Sequence, residues 1–318
     1  MQQFRDVLEG RQITVYFCAV ALAGAAALLF PQTARLEAFI NPALALMLYA
    51  TFLQVPMAEL GRAFGRLRFM AALLAANFVV IPLLVAGLVQ FLPADPMLRL
   101  GVLLVLMAPC IDYVITFAHL GRADARMLLA ATPALLVAQM LLLPVYLGVM
   151  LGDQARGLVQ IQPFVNVFVW LILVPLLLAA LTQKWAGAKA SRAGLAQGLG
   201  LLPVPATALV LFVVVAAVVP RLGSAMSSVL PVIPIYVAFA AVAPLIGWGV
   251  ARLFGIEVRA GRAIAFSTGT RNSLVVLPLA FAVPGALPIL PAIIVAQTLV
   301  ELLAELVYVR LIARLGRE

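Results

Sequence analysis

The chain has 318 residues, 65% of them hydrophobic and 10% charged, with a mean hydropathy of +1.17. That excludes a soluble globule, and apolar runs of about 20 residues exclude a β-barrel, whose strands alternate over about ten. The net charge of +9 is accounted for by loops facing anionic headgroups, so nucleic-acid binding is not required.

In chain order the runs predict ten transmembrane helices, at residues 13–30, 37–55, 67–92, 97–120, 126–151, 163–181, 199–219, 230–254, 260–283 and 288–312. The expected fold is an all-α polytopic membrane protein, residues 1–318 forming a single transporter domain without a soluble domain or linker. The amino terminus is short, mixed in charge and followed by a full-length span, so it reads as an uncleaved first helix. Cys18 and Cys110 fall in different spans, and no disulfide framework or CxxC motif exists.

Orientation follows from the basic residues. Alternate connections hold Arg5 and Arg11; Arg62, Arg66 and Arg68; Arg122 and Arg126; Lys184, Lys189 and Arg192; Arg252, Arg259 and Arg262; and Arg310, Arg314 and Arg317. The opposite connections hold only Arg35, Arg99, Arg156 and Arg221. Sixteen against four predicts an inner (plasma) membrane protein with both termini cytoplasmic. Ten spans divide into five and five, and an odd-numbered half inserts its copy upside down, which predicts an inverted repeat of about residues 1–155 and 156–318.

The fourth span of each half is the interrupted one. Span four carries Met107-Ala-Pro-Cys-Ile-Asp-Tyr113 and span nine carries Ser267-Thr-Gly-Thr-Arg-Asn-Ser273. Pro109 and Gly269 loosen the helices beside Asp112 and Arg271. A charge at the bilayer centre costs about 2.5–3.5 kcal/mol on insertion scales, so such residues face the bundle interior and mark function. Two broken, crossing helices would bring Asp112 and Arg271 together as an ion pair, either at a substrate site or as a structural pin of the crossing. Ser267, Thr268, Thr270, Asn272 and Ser273 put polar groups on every side of their segment, which must therefore face protein or water.

Cys110 reads either as a small packing residue or, beside a break and a carboxylate, as a soft ligand for a thiophilic substrate. Glu301 and Glu305 lie one turn apart in the last span with Tyr308 on the same stripe. Glu301 lies deep and is expected to be the proton-coupling carboxylate. Glu305 lies nearer the cytoplasmic end and is expected to reach the headgroups, helped by Arg310. His119, which ends span four, is expected at the interface.

Pro109 through Asp124, ending His119-Leu-Gly-Arg-Ala-Asp124, resembles the fourth-helix segment of the bile acid:sodium symporter superfamily, and Arg262 to Ala280 is similar to its ninth-helix segment. The sodium-coupled branch carries Glu-x-Gly-x-Gln-Asn-Ser there, whereas this chain has Ser267 and Arg271 at the glutamate and glutamine positions. The fourth-helix Ser-Asn pair of that branch is replaced by Val114 and Ile115. Few oxygens remain for a hard cation, so sodium coupling is not expected. The arsenical-resistance permease branch is more similar. Pro109-Cys110-Ile111 resembles its metalloid-handling cysteine segment, Gln139 with Val145-Tyr146 follows it, and Leu299-Val-Glu301 resembles its last-helix glutamate motif. The chain departs from that branch at Asp112, at Arg271 and at Leu302-Leu303, where a proline is usual.

The resemblance implies a secondary transporter that exports trivalent arsenic (arsenite) in exchange for protons, without a cofactor. Cys110, Asp112, Arg271, Asn272, Ser267 and Thr268 would form the substrate site, with Cys110 the thiol contact and Glu301 the coupling residue. Two sub-bundles would rock in alternating access. The alternative is an organic-anion or thiolated-metalloid carrier using Arg271. An intramembrane enzyme is not expected, because no span carries a His-rich metal set, a nucleophile with a histidine base, or paired aspartates.

Overall fold

A computed structural model describes residues 2–54, 66–152, 161–187 and 198–316. Arg62, Arg156, Lys189, Arg192 and Arg317, and the side chain of Arg5, on which part of the predicted orientation rests, lie outside the described residues. The regular elements are helices: α1 (Gln2–Leu29), α2 (Ile40–Gln54, entered through a 3-10 stretch, Pro31–Phe39), α3 (Leu67–Val89), α4 (Pro96–Leu106), α5 (Val114–Leu120), α6 (Ala125–Leu151), α7 (Val165–Ala186), α8 (Pro203–Val229), α9 (Ile233–Leu253), α10 (Val258–Gly269), α11 (Ser273–Ala282) and α12 (Ile289–Leu311). No strand occurs among the described residues. The protein is a multi-pass membrane protein with eight helical stretches long and apolar enough to cross a bilayer. These eight overlap eight of the predicted spans. The predicted fourth and ninth spans are represented by the shorter pairs α4/α5 and α10/α11.

Local chemistry sets the element boundaries. Asp95 caps α4, its carboxylate accepting from the amides of Met97 (2.8 Å) and Leu98 (3.2 Å), with Pro96 at the first helical position. Asp124 caps α6 through the Met127 amide (3.1 Å). In α3 the ring of Pro82 excludes the carbonyl four residues earlier, that of Phe78, and the helix widens into a π turn over Ala76–Val80. The displaced Phe78 carbonyl accepts from the Tyr146 hydroxyl (2.5 Å). The same π turn carries Asn77, the one polar side chain of the turn, into the protein interior.

The described chain forms two compact units. One comprises Met1–Met57 and Val165–Ser224. In it α2 packs along α7, pinned by Tyr49 and Thr182 hydroxyls 3.0 Å apart and by Gln183, whose amide donates to the Phe52 (3.1 Å) and Leu53 (3.2 Å) carbonyls. Glu37 and Arg221 form an ion pair in this unit.

The other unit comprises Ala58–Phe164 and Ala225–Glu318 and contains both broken pairs. Here α9 and α10 pack extensively against each other. Water gives no driving force between helices in lipid, so close approach depends on small residues. A Cβ at Gly247 would strike the Thr268 hydroxyl, and one at Gly261 would stand 3.0 Å from the Trp248 ring.

Candidate functional site at the helix crossover

The two breaks meet inside the second unit. Pro109 has no amide to continue α4, and α10 stops at Gly269, after which Thr270 is extended (φ −110°, ψ 131°). Each break satisfies the other's backbone. The Asn272 amide donates to the Ala108 carbonyl (2.7 Å) and the Cys110 amide to the Thr270 carbonyl (3.0 Å), an antiparallel bridge centred on Pro109 and Arg271. Irregular backbone is tolerated at membrane depth only when its polar groups are paired this way.

Arg271 is fully buried. Its guanidinium donates to the carbonyls of Ser267 (2.6 Å) and Thr268 (2.7 Å) in the last turn of α10, to the Leu106 carbonyl (3.3 Å) at the end of α4, and to Asn77 Oδ1 (3.0 Å). The face of Phe239 lies 5.3 Å away. These carbonyls have no intrahelical partner, and they are the negative ends of two helix dipoles, so the cation neutralises both C-termini. Asn77 in turn donates to the Leu73 carbonyl (3.1 Å) and to Ser267 Oγ (3.0 Å).

The expected Asp112–Arg271 ion pair does not form. Asp112 Oδ1 accepts from the Cys110 thiol (2.9 Å) and the Tyr113 amide (2.6 Å), and Oδ2 has no partner. Two helix ends offer the guanidinium three carbonyls and α3 offers the Asn77 amide oxygen, and local groups take the carboxylate. Nearby, the Asn272 side-chain amide donates to Gln139 Oε1 (3.4 Å), while Asn272 Oδ1 and Gln139 Nε2 are unpartnered and buried.

Glu301 of α12 holds the crossing from the other side. Its Oε2 accepts from the Arg271 amide (2.6 Å) and from Gln297 Nε2 (2.6 Å), and its Oε1 meets the Tyr113 hydroxyl. Gln297 Oε1 accepts from the Ser273 hydroxyl at the start of α11. Glu301 thus ties α12 to both breaks at once.

Glu305 corrects the sequence expectation. It is fully buried inside the helix bundle, with Oε1 2.5 Å from Thr270 Oγ1, rather than extended outward from the protein. The break in span nine leaves Thr270 to be served, and α12 presents Glu305 one turn from Glu301. Tyr308 is also turned inward, its hydroxyl donating to the Ala240 carbonyl (2.5 Å). His119 is exposed, and Cys18 is exposed while Cys110 is buried.

Of the expected site residues, Cys110, Asp112, Ser267, Thr268, Arg271, Asn272 and Glu301 all lie at or beside the crossover, Ser267 and Thr268 chiefly through their carbonyls to Arg271. Sequence reading missed Asn77, Tyr113 and Gln297. Asn77 had one signal, an amide in the middle of an apolar run five residues before a proline; Gln297 had the four-residue spacing to Glu301. Among the described residues no group of three or more His, Cys, Asp or Glu side chains stands together as a metal site.

A single deep crossing of two broken helices, lined with charge, belongs to secondary transporters as a class. The family model of the Sodium Bile acid symporter family matches residues 41–228, more than half of the chain, and the chain belongs to that family. No individual curated protein matches it.

Proposed function

We propose that this secondary transporter exports trivalent arsenic from the cytoplasm through the crossover, in exchange for protons. The observation that carries the reading is the buried Cys110 thiol, hydrogen-bonded to one oxygen of Asp112 while the other has no partner. Neutral arsenous acid presents three hydroxyls, each able to donate and accept. The buried unpartnered atoms beside Cys110 and Asn272 include Asp112 Oδ2, Asn272 Oδ1 and Gln139 Nε2, two acceptors and a donor, and Arg271 Nε adds a second donor at the crossover. A small uncharged trihydroxide satisfies such a set without bringing in charge, and a soft arsenic centre prefers sulfur. In the exchange, the Cys110 S–As bond forms and one As–O bond breaks. The thiol proton passes by way of Asp112 to the departing hydroxide, which leaves as water, and the reverse steps release the substrate. One thiol makes the contact readily reversible.

Proton rather than sodium coupling is supported by Arg271. Three backbone carbonyls and an amide oxygen are the kind of oxygen set a hard cation takes, and here the guanidinium occupies it. The positive charge is tethered, so Arg271 serves as a built-in cation rather than a hand for an anionic substrate. Glu301 is the exchangeable carboxylate: on protonation the Tyr113 hydroxyl turns from donor to acceptor and can direct its own proton to the Arg271 carbonyl, 3.5 Å away. The same reading has ten crossings, eight continuous and two broken, with both termini cytoplasmic in the inner membrane. Its inverted halves are supported by each compact unit drawing one segment from residues 1–164 and one from residues 165–318.

The test is flux in proteoliposomes, arsenite against an organic anion, under an imposed proton or sodium gradient. Arsenite flux driven by protons and lost in Glu301→Gln is expected; sodium-driven uptake, or organic-anion flux without arsenite flux, rejects the proposal. In an arsenic-sensitive, efflux-deleted host Cys110→Ser should lose resistance and Cys18→Ser should keep it.

A further inference from the structure

Glu305 has no place in the site just described, yet its surroundings are restrictive. Thr270 Oγ1 stands 2.7 Å from the Phe266 carbonyl oxygen and 2.5 Å from Glu305 Oε1. A hydroxyl has one proton to give. A carbonyl only accepts, and two oxygens 2.7 Å apart need a hydrogen between them, so the threonine proton goes to Phe266. The 2.5 Å contact then lacks a hydrogen unless the carboxyl supplies it. Glu305 Oε2 has no partner, and among the described residues no cation forms an ion pair with Glu305. A bare carboxylate in such a place has neither hydrogen bonds nor a countercharge to offset its desolvation. Glu301 differs, because both of its oxygens are met by donors.

The charged and titratable groups around Glu305 agree with this assignment. Glu301, Tyr308 and, near the far end, Arg310 lie on its own helix, α9 packed against it carries Tyr236 and Arg252, and Arg271 lies in the break after α10; α11 carries no ionisable residue. None of these cations forms an ion pair with Glu305 among the described residues, and Glu301 is met by donors at both oxygens, as an ionised carboxylate would be. A second negative charge one turn from Glu301 would stand uncompensated.

We infer that Glu305 is a second proton-binding site of this transporter, occupied by a proton in the arrangement seen here and bonded through it to Thr270. Glu301 and Glu305, one turn apart on α12, then grip successive residues of the same break, Arg271 through its amide and Thr270 through its hydroxyl. Release of the Glu305 proton frees a carboxylate that Thr270 cannot serve without abandoning Phe266, so deprotonation works directly on the end of α10. The role in transport rests on the proton coupling proposed above; the protonation itself does not.

Infrared spectra of the full-length protein in lipid vesicles, without substrate, test the site. The wild type should show a carbonyl band of a neutral carboxylic acid that disappears reversibly as the pH is raised. The band should be absent in Glu305→Gln, shifted but present in Thr270→Val, and retained in Glu301→Gln. Identical bands in the wild type and Glu305→Gln would overturn the assignment, and a band that persists at every pH where the fold survives would make the proton structural rather than exchangeable. Should Glu305→Gln fail to fold, the shift in Thr270→Val decides. A second arm counts protons moved per arsenite in vesicles: Glu305→Gln should lower the ratio, and an unchanged ratio removes Glu305 from coupling. Absence of arsenite flux in the wild type would sink the arsenite reading and leave the infrared result standing.

Discussion

Arg271 and Asp112 lie at the same crossing but answer to different partners, and substitutions separate them. Arg271→Gln removes the donors to three carbonyls and Asn77, and should cost about 3–5 kcal/mol of stability, as expected when a buried charge network loses its centre. Asp112→Asn should cost about 1–3 kcal/mol, the loss of a charged acceptor from the Cys110 thiol and the Tyr113 amide. Denaturation of both single variants and the double variant in detergent gives the coupling, expected below about 1 kcal/mol. A coupling of several kcal/mol would reinstate the ion pair.

At the scale of the element, the breaks depend on residues with little or no side chain. A Cβ on Gly269 would stand 2.7 Å from Pro244 Cγ and 2.9 Å from Tyr308 Cε2. Gly269→Ala should therefore destabilise the protein by about 1–3 kcal/mol, the cost of overpacking, and push Tyr308 off the Ala240 carbonyl. Loss of melting temperature together with an altered tyrosine spectrum checks it; an unchanged melting temperature would mean that α10 can shift freely. The π turn of α3 gives a second case. Tyr146→Phe leaves the Phe78 carbonyl without the hydroxyl that meets it, at about 1–3 kcal/mol for a buried orphan acceptor, while the Arg271 network is untouched. Thermal unfolding measures the first, and arsenite binding in detergent should stay unchanged.

For the whole molecule, orientation is the decisive prediction. In a Cys18→Ser background, Thr33→Cys should react with an impermeant maleimide only from outside the cell, and Arg314→Cys, at an exposed position, only from the cytoplasmic side after the membrane is opened. Arginine and lysine are in excess on alternate connections, and such connections stay on the cytoplasmic side. Glu37, at the start of the predicted second span, and Arg221, at the end of the seventh, form an ion pair, which sets those two ends at one level within their unit. Reaction of both variants from the same side would reject the ten-crossing topology.

Hydropathy by itself determined the membrane class, because apolar length is a one-dimensional property and the bilayer thickness is fixed. It also located both interruptions, since proline, glycine and charge inside an apolar run are legible without any fold. The residues Cys110, Asp112, Arg271 and Glu301 stood out for the same reason. What they touch was decided by tertiary structure. The guanidinium found the carbonyl ends of two broken helices instead of a carboxylate, because helix C-termini are visible only once the chain has crossed itself. Asn77 became a partner of Arg271 through a π turn that rotates α3 by part of a turn, and no periodicity anticipates that. Glu305 looked interfacial by its distance from the end of the span, yet the extended step at Thr270 drew the buried face of α12 down to it. Sequence states which polar groups enter the membrane; only the packed helices decide which of them meet.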